Sequence, residues 1–364
     1  MKCLEKAGWD NFTKEELKNI RIENPDEAVR KQVCKNWDSI AKPLDGLGRF
    51  ETLIARIGAI TGTDHVDISK KAVVILCADN GIVEEGVSQS GQEVTAAVAR
   101  SMGQGQSSVG QMAKAVGADT IPVDIGIHSE EQIPGVLSKK VRCGTRNFRK
   151  EPAMTEAEVL HAIAVGMELV HECKENGYQI LATGEMGIGN TTTSSAAAAA
   201  LLKCSADQVT GRGAGLNDMG FAKKQKVIED AIQNYELYEA DAFTILQTVG
   251  GLDLAGLVGV CIGGARDHIP IVLDGFISMV AALLAERLVP GTKEYYIPSH
   301  IGKEPAIRLL AEELQLEPII DGNMALGEGT GAVMMFALLD VALRVYQART
   351  TFKEIEIEQY ERQN

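Results

Sequence analysis

The 364-residue chain is poor in aromatic residues and has far fewer basic than acidic side chains. Aromatic residues make up 5% of the chain, hydrophobic residues 45% and charged residues 24%, so disordered and collagen-like classes are excluded. Against 50 Asp and Glu there are 36 Lys and Arg, which gives a formal net charge of −14. Because binding to a polyanion depends on clustered basic residues, nucleic acid is not expected as a partner.

The chain also lacks paired cysteines and an apolar leader. Its seven cysteines form no Cys-x-x-Cys pair, so neither a disulfide framework nor a zinc knuckle is predicted, and a reducing, cytoplasmic setting is expected. Residues 1–17 are polar and charged where a signal peptide would be apolar. The longest uncharged run, 186–202, contains Asn190 and a row of Thr and Ser, and falls short of a membrane span. We expect a soluble protein without a membrane partner.

Three motifs of common enzyme classes are missing. There is no Gly-x-Gly-x-x-Gly dinucleotide fingerprint and no Gly-Lys-Ser/Thr of a P-loop, which argues against an NAD-dependent oxidoreductase and a P-loop NTPase. There is also no His-Glu-x-x-His helix, and the six histidines are scattered. Among them His300 stands out because it ends a predicted strand, whereas the others are expected at the surface or in the core.

The pattern of apolar residues divides the chain into two parts. The first 65 residues are helical and polar, with candidate helices at 14–22, 26–40 and 49–60. From Lys71 onwards, short apolar runs alternate with helical stretches, which predicts a doubly wound, mostly parallel α/β sheet with helices on both faces. The predicted strands are 72–77, 120–125, 179–182, 269–273, 295–297 and 318–320. In such sheets ligands bind beyond the carboxyl ends of the strands.

The first of three glycine-rich segments, expected at strand ends, is a candidate phosphate cradle. It lies between the predicted strand 179–182 and a helix through a five-alanine tract. Free backbone N–H groups and a helix dipole at such a loop favour an anion, although an ordinary tight turn would also use glycine here. The candidate residues are Gly184, Gly187, Gly189, Asn190 and Thr191, with the acidic Glu185 beside them.

The other two segments carry charged side chains. Gly211, Arg212 and Gly213 precede Lys223 and Lys224, which are either cations near a second anion site or a solvated helix face. In the third segment, 326–331, Glu328 is flanked by glycines and precedes an apolar helix. It is either a first-turn acid stabilised by the helix dipole or a general base whose pKa burial would raise.

Taken together, these segments resemble those of the nicotinate-nucleotide:dimethylbenzimidazole phosphoribosyltransferases, the enzymes that make the lower-ligand nucleotide of cobalamin. The similarity extends over nearly the whole chain and in one order. The segments that carry it are 42–49, 78–81, 85–88, 92–95, 184–192, 211–213, 272–278 and 326–331. The chain departs from a common family pattern at Asn80, where many members have His, and at Ile301 and Gly302, where many have Arg and Ser.

The resemblance implies an architecture and a set of roles. It implies a homodimer whose large α/β domain spans 66–346 and whose small helical domain combines 1–65 with 347–364. It assigns the role of catalytic base to Glu328, and it places Glu185 and Lys224 in the nucleotide site, with Asp274 and the glycine segments binding nucleotide or phosphate. We expect Glu185 to be a second catalytic residue, which stabilises the positive charge that builds on the ribose. It assigns binding of the aromatic base to Ser88, Gln92, Met186 and Leu326.

The reaction that the resemblance implies is transfer of the 5-phosphoribosyl group from nicotinate mononucleotide to 5,6-dimethylbenzimidazole or a related base. Its partners are small-molecule substrates, and neither a cofactor nor a metal is expected, because the donor lacks a pyrophosphate. The alternative is a sensor of nucleotide or base that keeps the fold without turnover. The presence of Glu328 favours the enzyme.

Overall fold

The computed structural model describes residues 12–213 and 215–362. Its main sheet has six parallel strands in the order β3-β2-β1-β4-β5-β6, and a second parallel sheet pairs β7 with β8. The strands are β1 Lys71–Ala78, β2 Asp119–Gly126, β3 Leu137–Ser138, β4 Ile180–Met186, β5 Ile271–Leu273, β6 Tyr296–Pro298, β7 His300–Gly302 and β8 Ile320–Met324.

Fourteen α-helices in the described residues surround the sheets. They begin with α1 Lys14–Asn19, α2 Glu27–Ser39, α3 Arg49–Thr61, α4 Glu93–Gly103, α5 Ser108–Ala115, α6 Glu156–Glu175 and α7 Asn190–Leu202. They continue with α8 Ala206–Val209, α9 Asp218–Asn234, α10 Ala242–Val249, α11 Leu252–Arg266, α12 Phe276–Leu288, α13 Ile307–Leu314 and α14 Thr330–Ala348.

Burial on both faces explains the continuous apolar runs of the central strands. All eight residues of β1 are buried. Successive side chains point to opposite faces, so Val74 and Leu76 join a cluster formed with α6 and α11, while Val73 and Ile75 join one formed with α3 and α14. The predicted doubly wound parallel fold is confirmed.

The strand order creates a crevice at the carboxyl edge. From β1 the chain moves outward to β2 and β3, whereas from β4 it moves in the opposite direction to β5 and β6. The reversal lies between β1 and β4, which pair over Lys71 to Cys77. A crevice outside the carboxyl ends of the strands is where doubly wound sheets bind ligands.

Two features differ from the sequence prediction. The run 318–320 was expected in the main sheet, but it leads into β8, which pairs with β7 in the separate sheet. Neither β3 nor β7 is among the predicted strands, because with two and three residues they are too short to show a hydrophobic period. The glycine segment at 211–215 does not follow a strand as expected, since it connects α8 with α9.

Contacts join the amino-terminal helices to the carboxyl-terminal segment. The rings of Trp37 and Tyr346 lie 5.0 Å apart, Ile40 forms an antiparallel bridge with Thr351, and Arg362 pairs with Asp38 at 2.8 Å. Buried residues of α2 and α3 also share one apolar cluster with the sheet. The division into a small and a large domain remains a prediction, and residues 1–11 and 363–364 of that small domain lie outside the described residues.

One described helix, α14, is long and apolar enough to cross a membrane when judged by length and composition alone. Half of its most apolar window is buried inside the protein. Core helices of soluble proteins pass the same test.

Candidate active site

A cavity of about 260 Å³ opens at the carboxyl edge, beyond β4, β5 and β6 and against the loop before α14. It brings together residues from four of the segments that carry the resemblance, 184–192, 211–213, 272–278 and 326–331, which are far apart in the sequence. The predicted site residues on its wall are Glu185, Met186, Gly187, Asn190, Thr191, Gly213, Asp274, Leu326 and Glu328.

Glu328 is held in a backbone conformation that side chains rarely adopt. Gly327, Glu328 and Gly329 all have positive φ, at 82°, 62° and 92°. Glycine adopts this left-handed region without penalty, whereas Glu328 does so at an energetic cost that surrounding contacts must offset. The loop lies directly on β4, because a Cβ atom on Gly184 would come within 2.6 Å of the Glu328 carbonyl oxygen. Gly184 therefore sets how closely Glu328 approaches the strand.

The carboxylate of Asp274 supplies contacts that hold this loop. Asp274 follows β5, and its Oδ2 accepts a hydrogen bond from the Gly329 N–H at 3.2 Å. Its Oδ1 accepts from Gly331 at 2.8 Å and Ala332 at 3.1 Å, so it caps the first turn of α14. His300 Nδ1 lies 3.8 Å from the same Oδ1. Burial raises the pKa of Asp274, while His300 and the backbone donors oppose the rise. The predicted contact of Asp274 with nucleotide remains a prediction.

The carboxylate of Glu328 lies against the first turn of α5 and not against α14. The backbone N–H of Val109, in that turn, donates to Glu328 Oε2 at 3.3 Å. Burial raises the pKa of Glu328, the Val109 N–H lowers it, and the charge of Asp274 raises it. The effect of burial is larger than that of the hydrogen bond, so the pKa of Glu328 is raised overall. A raised pKa makes the carboxylate a more effective general base.

Glu185, near the end of β4, has a strongly perturbed pKa. Burial, followed by the negative charge of Asp253, raises the pKa of Glu185 to about 8. Asn190 Nδ2 donates to Glu185 Oε2 and favours the charged form. Burial also raises the pKa of Asp253 to about 6. With this pKa, the carboxyl of Glu185 is mostly protonated at neutral pH.

Lys224 is a buried cation behind one wall of the cavity. Its side chain is fully buried, and its Nζ donates to Thr191 Oγ1 at 2.9 Å and to the Gly211 carbonyl at 3.1 Å. Burial lowers the pKa of Lys224 to about 8. The alternative of a solvated helix face is wrong for Lys224 and holds for the exposed Lys223. Arg212 is placed away from the cavity, since its guanidinium pairs with the exposed Asp218 at 2.6 Å.

Ser88 and Gln92 lie outside the described lining of this cavity. Gln92, beside α4, lines a second cavity of about 340 Å³, where its Oε1 lies 3.0 Å from His128 Nδ1. Ser88 Oγ accepts from the Ser90 N–H at 3.4 Å. Gly189, at φ 93°, precedes α7 and lies close to Val83, to which a Cβ atom would come within 2.7 Å. The base-binding roles of Ser88 and Gln92 remain predictions.

A match to a known family follows the same segments. The family model described as phosphoribosyltransferase matches residues 22–357, which is most of the chain. The chain belongs to this phosphoribosyltransferase family. Among the described residues, no group of three or more His, Cys, Asp or Glu is arranged to hold a metal ion.

Several relatives of this phosphoribosyltransferase carry a more specific name. Proteins from Acetivibrio thermocellus and Clostridium perfringens, both named nicotinate-nucleotide–dimethylbenzimidazole phosphoribosyltransferase, are 44% and 42% identical to it. The first alignment covers 91% of this chain and 94% of the relative, and the second covers 93% of each. A crystal structure of CobT from Thermus thermophilus superposes with a TM-score of 0.86 at 35% identity, covering 92% of this chain and all of that one.

Two residues of this phosphoribosyltransferase site, Asp253 and Glu304, were not predicted from the sequence, and a third, His300, was noticed there only for its position. Asp253 lies in the first turn of α11, and Glu304 lies between β7 and α13, whereas His300 stood out in the sequence as the end of a predicted strand. Single acids in ordinary segments give no signal of their own. Asp253 and His300 are revealed by burial, at 0% and 6% exposure, and Glu304 by its place on the cavity wall.

Proposed function

We propose that the protein transfers the 5-phosphoribosyl group from nicotinate mononucleotide to 5,6-dimethylbenzimidazole or a related base. The products are nicotinate and α-ribazole 5′-phosphate, the nucleotide used in assembly of the cobalamin nucleotide loop. One observation carries the proposal: Glu328, a carboxylate with a raised pKa, shares a cavity with a glycine-rich loop backed by a buried lysine. The names of the relatives supply the identity of the substrates.

The distribution of charge in the cavity suits this donor. Glu185, Asp274 and Glu328 lie on the wall of the cavity. Thr191 and Gly213 also line it, and the ammonium group of Lys224 lies directly behind these two residues. Nicotinate mononucleotide has a positively charged pyridinium ring at one end and an anionic phosphate at the other. Carboxylates favour the first and a buried ammonium favours the second.

The reaction needs one base and no acid. The glycosidic nitrogen of the donor is a pyridinium, so nicotinate leaves with the bonding electron pair as a neutral ring. One nitrogen of the benzimidazole attacks C1′ from the opposite face, and Glu328 accepts the proton from the other nitrogen. The new N–C1′ bond replaces the old one with inversion, which yields the α-nucleotide. Holding both substrates in one cavity supplies a further part of the rate.

Glu185 ionises when the donor binds. Its pKa of about 8 leaves the carboxyl mostly neutral at pH 7 before the donor binds. The positive pyridinium ring, and then the positive charge that develops on the ribose, lower this pKa because they favour the charged carboxylate. Glu185 then stabilises the developing charge electrostatically.

The base pocket combines an apolar wall with residues from another loop. Met186 and the half-exposed Leu326 line the cavity on the side of Glu328. We place the acceptor base against these two side chains, within reach of Glu328. Ser88 and Gln92 lie outside the described lining of this cavity, so their part in binding the base is proposed from the resemblance alone. We also propose that Asn80, whose carbonyl accepts a hydrogen bond from Gln92 Nε2 at 3.4 Å, influences which base is preferred.

The homodimer is supported by an exposed apolar stripe on α14. Met334, Leu338, Val341 and Val345 are 38–69% exposed and recur at helical spacing. A second copy of the chain would cover this stripe. Light scattering of the protein and of Val341→Glu tests this, with a dimer expected for the first and a larger monomer fraction for the second.

The enzyme is expected to act in the cytoplasm.

The transfer itself is tested by mixing the purified protein with nicotinate mononucleotide and 5,6-dimethylbenzimidazole. Liquid chromatography with mass spectrometry follows both products, which are expected to appear in equal amounts. A second series with other benzimidazoles, purines and phenols ranks the acceptors. Failure to release nicotinate with every base would contradict the proposed function.

A further inference from the structure

Glu304 has no part in the mechanism above, yet it lies at the anion end of the cavity. It follows β7 and lines the same cavity as Glu328. Its carboxylate fills the space that a Cβ atom on Gly211 would occupy, so it rests directly on the backbone of the loop next to Lys224. An acidic side chain is therefore packed against the glycine segment at 211–213, which the sequence marks as a second anion site beside Lys224.

The surroundings of this carboxylate are those expected for an anion. The backbone N–H groups of Gly211 and Gly213 and the charge of Lys224 oppose the rise that burial causes in the pKa of Glu304. In return, the charge of Glu304 counteracts the lowering of the Lys224 pKa by burial. Within the described part of the chain, Lys224 Nζ donates to two neutral groups, the Thr191 hydroxyl and the Gly211 carbonyl. A buried ammonium whose direct hydrogen-bond partners are neutral is stabilised by an anion nearby.

The fit of Glu304 is incomplete. Its Oε2 is buried and has no hydrogen-bond partner among the described residues. A buried acceptor without a donor is destabilising, so this placement costs free energy. A phosphate, with more oxygens and more negative charge, can satisfy the same donors better.

We propose that the carboxylate of Glu304 occupies the position of the nucleotide's phosphate group before the nucleotide binds, and that the phosphate displaces it. The inference rests on the proposed function, because it takes the donor to be a nucleoside monophosphate. Glu304 acts as an internal counter-ion for Lys224 and the glycine backbone. It makes weak anions poor competitors, since every anion must first displace a carboxylate that is already in place.

The effect of Glu304→Gln on the affinity for nicotinate mononucleotide distinguishes this role from direct contact with the substrate. Loss of a competing carboxylate increases the affinity, whereas loss of a substrate contact decreases it. Glu304→Gln keeps the shape but removes the charge, so nicotinate mononucleotide should bind more tightly, by on the order of tenfold. Calorimetry with nicotinate riboside, which lacks the phosphate, should show the same affinity for variant and parent. Inorganic phosphate should raise the Tm of Glu304→Gln more than that of the parent. Glu312→Gln, an exposed site on α13, is the matched control and should change neither reading.

A double-mutant cycle tests whether the effect of Glu304→Gln on nucleotide affinity depends on Lys224. In the Lys224→Met background, Glu304→Gln should no longer increase the affinity for nicotinate mononucleotide. The reason is that the cation for which the Glu304 carboxylate and the phosphate compete is absent. Equal or weaker nucleotide binding by Glu304→Gln, with the parent binding normally, would overturn the inference while leaving the transferase in place. Lack of nucleotide binding by the parent protein would instead overturn the proposed function and the inference with it.

Discussion

Asp274 Oδ1 accepts a hydrogen bond from the backbone N–H of Gly331 at 2.8 Å, which ties the end of β5 to the beginning of α14. The bond joins two parts of the chain separated by 57 positions. Between them stands Glu328, in a left-handed conformation that its side chain does not favour. The position of the proposed base therefore depends on a neighbouring acid that need not touch the substrate.

Asp274→Asn should lower kcat by about 10- to 100-fold, since displacement by about 1 Å of a positioned group can cost 10²-fold. Asparagine offers one acceptor oxygen in place of two and presents an N–H₂ group to the backbone donors. We expect a lower Tm as well, because a helix cap is weakened. Steady-state kinetics and thermal unfolding test this, with the exposed Asp321→Asn as control. An unchanged kcat beside a lowered Tm would limit Asp274 to a structural role.

Gly184→Ala should reduce turnover without adding a polar or charged group to the cavity. The new Cβ atom would come within 2.6 Å of the Glu328 carbonyl oxygen, so the loop must shift. We expect kcat to fall more than nucleotide affinity, because the base moves relative to the acceptor. Gly322→Ala, where the Cβ atom meets only ordinary contacts at 3.4 Å or more, is the matched control. Equal activity of both variants would show that the loop tolerates the shift.

Glu185 should make stability depend on pH. Its pKa in the folded protein is about 8, well above the value of about 4.3 for an unfolded glutamate, so the folded state binds the proton more tightly. This contribution stabilises the fold at low pH and is lost as the pH rises towards 8. Glu185→Gln, which stays neutral, should therefore raise the Tm relative to the parent more at pH 8.5 than at pH 5. A Tm difference that does not change between these pH values would mean that the carboxyl is not perturbed.

The sequence predicted those parts of the fold that depend on continuous burial. The run 72–77 marked β1, observed at Lys71–Ala78, because a strand covered on both faces must be apolar throughout. It did not predict that 318–320 leads out of the main sheet, because short strands carry no information about their partners. The pairing of β8 with β7 depends on tertiary contacts, so it cannot be predicted from the spacing of apolar residues.

The same division holds for the site. Glu328 and the glycines beside it could be found because residues with unusual backbone freedom flank a reactive side chain in the sequence. The contacts of Asp274 with α14, and of Glu304 with Gly211, could not be found, since each joins segments far apart in the chain. Nor could the sequence tell that burial would outweigh the hydrogen bond of Val109 in setting the pKa of Glu328.

Loss of the base at position 328 tests the central claim most directly. Nicotinate release and α-ribazole 5′-phosphate formation should be measured for the parent and for Glu328→Gln, with the exposed Glu356→Gln as control. We predict that kcat of Glu328→Gln falls by about 10²- to 10⁴-fold while affinity for nicotinate mononucleotide is retained. The parent should lose activity as the pH falls through the raised pKa of Glu328, because only the carboxylate accepts a proton. Near-normal turnover of Glu328→Gln would contradict the account.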